Sequence, residues 1–297
     1  MKILITGVFG FIGQNLYKSL SQRYKIIGIG RNNKNSKLIS SKNLINNSIT
    51  YNNLSNINFE PDVILHCAGS GSVIKSYKNR KKDYEKNVIT TINLMKYIDK
   101  FKKKPLIILF SSAAVYGNNC FNFKKKIKPI SPYGKHKLIA ENFLRNKLKN
   151  KKFNLIILRF YSIYGVGLRK QLIWDACNKI HNEKKIFYGT GEEIRSWINI
   201  KDVVDFINFI LKKKLRRSMI LDIASNNTFQ NNKLLLKLFN LFQFKAKPIF
   251  NNRQKEGDPK VQIFNHKKMI KLGWSPKISM SRGLKDYVKW FKKIIKK

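Results

Sequence analysis

A glycine-rich turn near the start of the chain restricts the fold more than any other segment. It follows the apolar run Ile3-Leu4-Ile5, reads Thr6-Gly7-Val8-Phe9-Gly10-Phe11-Ile12-Gly13, and leads into the helical spacing of Phe11 to Leu20. Such a turn between a strand and a helix lets backbone N–H groups approach a pyrophosphate, and the helix N-terminus adds partial positive charge. The pattern therefore predicts a dinucleotide site contacted by Gly7, Phe9, Gly10, Phe11, Ile12 and Gly13.

The next 150 or so residues repeat the alternation of strands and helices. Val88–Ile98 has the apolar spacing of a helix, and continuous apolar runs occur at Lys25–Gly30, Asp62–His66, Leu106–Phe110 and Leu155–Leu158. Strands that are apolar on both faces and alternate with helices are typical of a parallel sheet covered by helices on both sides. After about residue 165 the chain predicts helices and loops with glycine turns. The Lys/Asn-rich stretch from Arg31 to Asn58 predicts a solvated loop segment.

The end of the second strand bears on which dinucleotide is bound. An acidic residue at this place accepts a hydrogen bond from the adenosine ribose 2′-hydroxyl in NAD sites. Here the strand ends Gly30-Arg31-Asn32, without a carboxylate. Arg31 would instead favour a 2′-phosphate. NADP(H) is therefore the favoured cofactor, and NAD(H) remains the alternative.

A tyrosine and a lysine four residues apart form the candidate catalytic pair. Tyr133 and Lys137 follow Ser131-Pro132 and would share one face of a helix. A tyrosine of ordinary pKa, about 10, is a poor base at neutral pH. A lysine ammonium one turn away, together with the positive charge of a nicotinamide, would stabilise its phenolate. Ser112 ends the apolar strand at Leu106–Phe110, at the edge where such sheets bind ligands.

The net charge of +45 is the least ordinary feature of the composition. Such an excess suggests nucleic acid or an acidic membrane. Yet Lys outnumbers Arg 50 to 11, and the chain also has 39 Ile and 33 Asn, residues that share A/T-rich codons. We interpret the charge as compositional drift, so nucleic acid is not the expected partner.

Further observations concern the compartment. The three cysteines, Cys67, Cys120 and Cys177, are far apart and predict neither a disulfide framework nor a metal site. Met1 to Gly7 run straight into a strand pattern, so we expect no signal or transit peptide, and no apolar run reaches the roughly 18 residues of a membrane span. These features favour a reducing, cytoplasmic location.

Several segments in order resemble the extended short-chain dehydrogenase/reductases, the family of nucleotide-sugar epimerases, dehydratases and ketoreductases. Besides the glycine turn they are His66-Cys67-Ala68-Gly69, Asn87-Val88, Ser111–Gly117, Ser131–Lys137, Arg159–Gly165, Gly189–Gly191 with Arg195 and Asp202, Glu256-Gly257-Asp258, and Leu272-Gly273-Trp274-x-Pro276. The resemblance covers nearly the whole chain. It implies a Rossmann-like doubly wound α/β sheet with a smaller C-terminal α/β lobe. The NAD(P)-binding domain would take 1–165 and a returning segment near 197–225, and the mainly substrate-binding lobe would take 166–297.

By this resemblance, Ser112, Tyr133 and Lys137 form the catalytic set. Tyr133 would move the proton of a sugar hydroxyl during hydride transfer at C4 of a nucleotide-diphosphate hexose. The implied further cofactor contacts are Asn53, Leu54, Ala68, Gly69 and Asn87, and the implied substrate contacts are Ser70, Ser112, Ser162, Arg195, Lys255 and Asp258. A homodimer, common in the family, is a further implication.

Departures from the family pattern narrow the activity. Family 4,6-dehydratases carry Asp-Glu where this chain has Ala113-Ala114, so a dehydratase is disfavoured. Asn53-Leu54 stands for the usual Asp-Leu, Ser162 for an Asn, and Lys255 for an Arg. Arg31 leans to a ketoreductase, whereas Ser112-Ala113-x-Val-Tyr-Gly leans to a UDP-hexose 4-epimerase, and both remain open. The alternative from another class is a non-catalytic Rossmann protein that binds RNA or a partner through its basic surface.

Overall fold

The computed structural model describes residues 1–32, 42–118, 127–150, 153–215, 217–264 and 267–296. Cys120 and residues 33–41 of the predicted loop segment lie outside them. The strands are β1 (Lys2–Thr6), β2 (Lys25–Gly30), β3 (Leu44–Asn46), β4 (Val63–His66), β5 (Leu106–Ser112), β6 (Leu155–Phe160), β7 (Ser162–Tyr164), β8 (Ile186–Phe187), β9 (Ile194–Asn199), β10 (Met219–Ile223), β11 (Asn227–Gln230), β12 (Ile249–Phe250) and β13 (Val261–Gln262).

The helices are α1 (Phe11–Leu20), α2 (Tyr51–Ser55), α3 (Val73–Lys78), α4 (Arg80–Tyr84), α5 (Thr90–Ile98), α6 (Pro132–Asn150), α7 (Gln171–His181), α8 (Ile200–Lys212), α9 (Asn231–Phe242), α10 (Lys267–Lys271) and α11 (Met280–Ile295). A π-helical turn (Glu85–Ile89) links α4 to α5, and a 3₁₀ turn (Ala113–Tyr116) follows β5.

A seven-stranded sheet organises the described residues, in the order β10-β6-β5-β4-β1-β2-β3. Every adjacent pair from β6 to β3 is parallel. From β1 the chain adds β2 and β3 on one side, and then returns to add β4, β5 and β6 on the other side, so the strand order has a switch point between β1 and β4. Ligands of doubly wound sheets bind at the carboxyl ends of the strands beside such a switch point. The predicted doubly wound α/β fold is confirmed.

The central strands form because their side chains are apolar on both faces. Residues 3–5 of β1 and 64–65 of β4 are fully buried, and Ile107 and Ile108 of β5 are as well. Burying one such side chain contributes about 1.5–3 kcal/mol. The buried central strands therefore form a rigid sheet, and polar residues at the carboxyl ends of these strands are held in fixed positions.

The predicted loop segment from Arg31 to Asn58 contains regular structure, which corrects that expectation. Leu44–Asn46 adds β3 to the edge of the sheet, with Ile29 paired to Ile45. Leu54 of α2 is fully buried in the core. In this Lys/Asn-rich segment each short element is held by one buried apolar side chain. One such residue gives no periodic pattern from which the element could be predicted.

The chain divides into two compact units. The first comprises residues 1–115, 129–160 and 207–221, and the second comprises 116–128, 161–206 and 222–297. The domain bounds of the sequence analysis, 1–165 with a return near 197–225 and then 166–297, stay a prediction. Strand β7 pairs with β9 in a separate sheet that also contains β11 and β13. The second unit therefore contains short strands, as the resemblance implies for an α/β lobe, although the residue pattern after about 165 indicated helices and loops.

Neither a membrane-spanning helix nor a cluster of metal ligands occurs among the described residues. No helix among them combines the length and apolarity needed to cross a membrane. Nor do three or more of their His, Cys, Asp or Glu side chains come together in a group that could hold a metal ion.

Candidate active site

The glycine turn joins the carboxyl end of β1 to the N-terminus of α1. The Gly7 N–H donates to the Ile29 carbonyl at 2.7 Å, which ties the turn to β2. A Cβ on Gly13 would lie 2.3 Å from the Gly7 carbonyl oxygen, so only glycine allows this close packing of helix and turn. Helix α1 begins without a side-chain cap, and the N–H groups of its first turn are available to an anion. The turn fits a dinucleotide pyrophosphate.

Residues predicted near the adenosine end differ in exposure. Arg31 is exposed at the end of β2. The Asn53 side-chain amide donates to the Asn47 side chain at 2.9 Å and to the Ser48 carbonyl at 3.0 Å. Leu54 is fully buried. Of these predicted contacts, Arg31 alone presents a charged side chain to solvent.

The start of α6 fixes the candidate catalytic tyrosine. Ser131 precedes Pro132, the first helical residue, and its hydroxyl accepts from the Gly134 N–H at 3.1 Å. A serine cap followed by proline is a strong helix start. A Cβ on Gly134 would lie 2.5 Å from the Ala114 carbonyl, so this glycine lets the first turn pack against the turn that follows β5. Tyr133 is thereby placed beside the end of that strand.

Ser112, Tyr133 and Lys137 meet at the carboxyl end of β5. Ser112 lies beside Tyr133 and opposes the rise in the pKa of that tyrosine, and the Ser112 hydroxyl accepts from the Ala114 N–H at 3.2 Å. Lys137 lies one turn further along α6, is only 6% exposed, and donates from Nζ to the Phe110 carbonyl at 2.9 Å. The structure therefore brings together the three predicted catalytic residues.

Burial dominates the ionisation of this set. It raises the pKa of Tyr133 to about 12, a rise that the Ser112 hydrogen bond opposes and the charge of Asp83 reinforces. Burial lowers the pKa of Lys137 to about 8, against the carboxylates of Asp83 and Glu141. With a pKa of about 12, Tyr133 is protonated at neutral pH and able to donate its proton. Stabilisation of its phenolate by the Lys137 ammonium stays a prediction from the sequence.

Asn87 and the segment after β4 lie beside the lysine. The Asn87 side-chain oxygen accepts from the Ser70 N–H at 3.2 Å. It is 2.7 Å from the place that a Cβ on Gly69 would occupy, and Lys137 Nζ is 3.0 Å from the same place. Asn87 belongs to the π-helical turn, a feature often found at functional sites. Four predicted residues of this site, with the lysine among them, are thus in close proximity.

A buried ion pair between α6 and β6 contacts the end of β5. The Arg159 guanidinium contacts the Glu141 carboxylate through Nε at 3.0 Å and Nη2 at 2.6 Å. Ser111, the neighbour of Ser112, donates from its hydroxyl to the same carboxylate. Glu141 is fully buried and Arg159 is 4% exposed. The sequence did not assign these residues to this role.

The predicted substrate residues of the second unit form a group of their own. Arg195 Nη2 donates to the Asp258 carboxylate at 2.8 Å, and its Nη1 donates to the Ile194 and Lys260 carbonyls. The Asp258 N–H donates to the Lys255 carbonyl at 3.1 Å. Ser162 lies on the adjacent strand β7, whose pairing aligns it with Trp197 of β9. Asp258 therefore orients the guanidinium that was expected to bind a diphosphate.

His136, on α6 between Tyr133 and Lys137, is largely buried. Its side chain is 13% exposed and Nδ1 donates to the Asp83 carboxylate at 2.7 Å. Asp83 is itself 3% exposed.

Comparison with known proteins adds independent findings. The family model of the NAD dependent epimerase/dehydratase family matches residues 3–224. A provisionally named UDP-glucose 4-epimerase of Methanocaldococcus jannaschii is 28% identical, over 98% of each chain. A dTDP-D-glucose 4,6-dehydratase of Dictyostelium discoideum is 27% identical, over 98% of this chain and 81% of the other. The solved UDP-glucose 4-epimerase of Thermotoga maritima, with UDP-glucose, is 26% identical with a TM-score of 0.89, covering 99% of this chain and 100% of the other.

Proposed function

Because the chain belongs to the NAD-dependent epimerase/dehydratase family, we propose that it transfers hydride at C4 of a nucleotide-diphosphate hexose, with Tyr133 moving the hydroxyl proton. The observation that carries this proposal is the grouping of Ser112, Tyr133 and Lys137 at the carboxyl end of β5, with Lys137 one helical turn after Tyr133. These residues lie at the carboxyl edge of the sheet, and the glycine turn that follows β1 lies at the same edge. The relatives named as epimerases support the same reaction class.

A nicotinamide dinucleotide, when bound, supplies or accepts the hydride and in its oxidised form brings a positive charge. In this chain, the backbone of the glycine turn and the N-terminus of α1 would hold its pyrophosphate. Lys137 would donate to its ribose and keep a positive charge behind Tyr133. The family description names NAD. Arg31 nevertheless supports NADP(H) as the preferred form, through the charge it would place beside a 2′-phosphate.

The residues at the end of β5 divide the acid–base work. Tyr133, with its high pKa, donates a proton to the sugar oxygen when a ketone is reduced and takes it back when an alcohol is oxidised. Ser112 donates to the same oxygen and holds it in register. The Ala114 N–H, which donates to the Ser112 hydroxyl, fixes the orientation of that serine.

Elimination of water does not fit the residues at this place. It requires an acid and a base beside C5 and C6, and Ala113 and Ala114 supply neither. Glu141, the nearest buried alternative on α6, is engaged by Arg159 and Ser111. We therefore propose an epimerase or a 4-ketoreductase rather than a dehydratase, although dehydratases are among the relatives.

The second unit supplies the proposed anion site for the sugar nucleotide. Arg195 is 7% exposed and held by Asp258, an arrangement suited to a pre-oriented guanidinium that binds a diphosphate. Lys255 is exposed and lies over the Tyr188 ring at 5.1 Å. Ser162, on β7, is proposed as a further substrate contact. We also propose a cytoplasmic location, as the cysteine spacing suggests.

Replacing Tyr133 with Phe tests the proposal. The Tyr133→Phe protein should fold and bind dinucleotide, yet lose about two to four decades of turnover, the usual contribution of general acid–base catalysis. Tyr51→Phe is the matched control, since Tyr51 is 36% exposed on α2. Turnover of a panel of nucleotide sugars, with and without NADPH, measures both. An unchanged rate in Tyr133→Phe would mean that another group moves the proton.

A further inference from the structure

A buried carboxylate lies behind the candidate catalytic residues without a part in the proposed reaction. Asp83, in α4, is 3% exposed. One of its oxygens, Oδ2, accepts from His136 Nδ1 at 2.7 Å. The other, Oδ1, is buried and has no hydrogen-bond partner among the described residues. A buried carboxylate with one oxygen unpaired costs free energy, and packing alone does not explain its presence here.

The same carboxylate is connected to the site by hydrogen bonds. The Asn87 side-chain nitrogen donates to the Asp83 carbonyl at 3.0 Å and to Oδ2 at 3.2 Å. The Asn87 oxygen faces the opposite way, toward the Ser70 N–H and the surroundings of Lys137 Nζ. Hydrogen bonds therefore link His136 through the carboxylate to the Asn87 amide, whose oxygen lies beside Gly69, as does Lys137 Nζ.

We propose that Asp83, held by His136, is a positioning residue for the reaction, since it fixes the Asn87 amide and places a negative charge behind Lys137. The inference rests on the proposed function and adds to it two residues, Asp83 and His136, that would act through Asn87 and Lys137. Neither Asp83 nor His136 is required to touch substrate or cofactor.

The electrostatics agree with this geometry. Asp83 is the largest of the charges that raise the pKa of Lys137 against the effect of burial, which brings it to about 8. It also raises the pKa of Tyr133. A negative charge favours the protonated form of both groups. Removing it should therefore lower both pKa values together.

Other charged groups near Asp83 must be considered in any pH dependence. Lys86, on the π-helical turn, feels Asp83 and the cations Lys75, Lys82 and Arg31, and burial together with these cations lowers its pKa. On α6 the facing groups are His136, Tyr133 and Lys137, with Glu141 one turn beyond them and paired with Arg159.

Titration of the lysine itself tests the proposal. In protein labelled with ¹³C-lysine, the Cε resonance of Lys137 should titrate near pH 8, and a Lys137→Arg sample assigns it. In Asp83→Asn the midpoint should fall by about one pH unit, the lower end of the effect of a close opposite charge. Glu85→Gln removes a carboxylate from an exposed position two residues away and should leave the midpoint unchanged.

Two changes at His136 provide a second, independent arm. His136→Leu removes the imidazole that holds the Asp83 carboxylate in place, so the carboxylate should no longer be fixed behind Lys137 and the Lys137 midpoint should fall as it does in Asp83→Asn. His136→Gln retains a donor and should stay near the parent value. A Lys137 midpoint that is the same in Asp83→Asn or His136→Leu as in the parent would overturn the proposal. The titration needs no substrate, so it remains decisive even if no nucleotide sugar is turned over.

Discussion

Replacing Arg159 with Met should destabilise the protein by about 3–5 kcal/mol, because it leaves the Glu141 carboxylate buried without its counter-ion. Glu141 is fully buried, Arg159 is 4% exposed, and Nε and Nη2 contact both carboxylate oxygens at 2.6–3.2 Å. After the substitution, the Ser111 hydroxyl is the remaining contact to that carboxylate among those described above. The end of β5, next to Ser112, should be the part of the structure that is most destabilised.

The magnitude depends on burial, and an exposed pair provides the comparison. Lys201 and Asp286 are 2.9 Å apart, but their side chains are 57% and 40% exposed. Exposed pairs contribute about 0.2–1 kcal/mol, so Lys201→Met should cost no more than that. Replacing both buried partners, as Glu141→Leu with Arg159→Met, should cost far less than Arg159→Met alone, since no unpaired charge remains.

Urea unfolding followed by far-UV circular dichroism measures all four proteins. The free energy of unfolding should rank the parent, Lys201→Met and the double variant close together, with Arg159→Met clearly below them. If Arg159→Met unfolded at the same urea concentration as Lys201→Met, the buried pair would not support the site in the way argued here.

Three further predictions follow from the first unit. NADPH should bind more tightly than NADH, and Arg31→Asp should reverse the order in a fluorescence titration; equal affinities in the parent would contradict the role of Arg31. His66 lies between the hydroxyls of Thr6 and Thr91, and burial lowers its pKa from 6.5 to about 3. The unfolded chain then binds more protons between these values, so stability is present above pH 6.5 and falls toward pH 3, and His66→Gln should flatten that slope in acid unfolding. Gly13→Ala should weaken dinucleotide binding, because its Cβ meets fixed backbone at 2.3 Å, and unchanged binding would refute the tight turn.

Much of the first unit could be predicted because its signals are local. The glycine turn, helix α1 and strand β2 occupy the predicted residues, since apolar runs and glycines define their ends. Strand β3 and the short strands of the second unit could not be predicted in this way. Leu44–Asn46 and Ile186–Phe187 are too short to show alternation, and their pairing partners, not their own sequences, make them strands.

The candidate site divides along the same line. Tyr133 and Lys137 were predicted because their spacing places them on one helix face. The Asp83–His136 pair joins residues 53 positions apart, and nothing local to either marks the contact. The burial that raises the pKa of Tyr133 is likewise a property of the folded state that the order of residues does not reveal.

The mass of the product tests the central claim most directly. The protein is incubated with nucleotide-hexoses that carry a 6-hydroxyl, with supplied 4-keto sugars, and with each dinucleotide, and the products are analysed by mass spectrometry and chromatography. Hydride transfer confined to C4 predicts an unchanged mass with a shifted elution, or a gain of two hydrogens on the 4-keto sugar. Loss of one water would contradict the account, because it would require an acid and a base that Ala113 and Ala114 cannot provide.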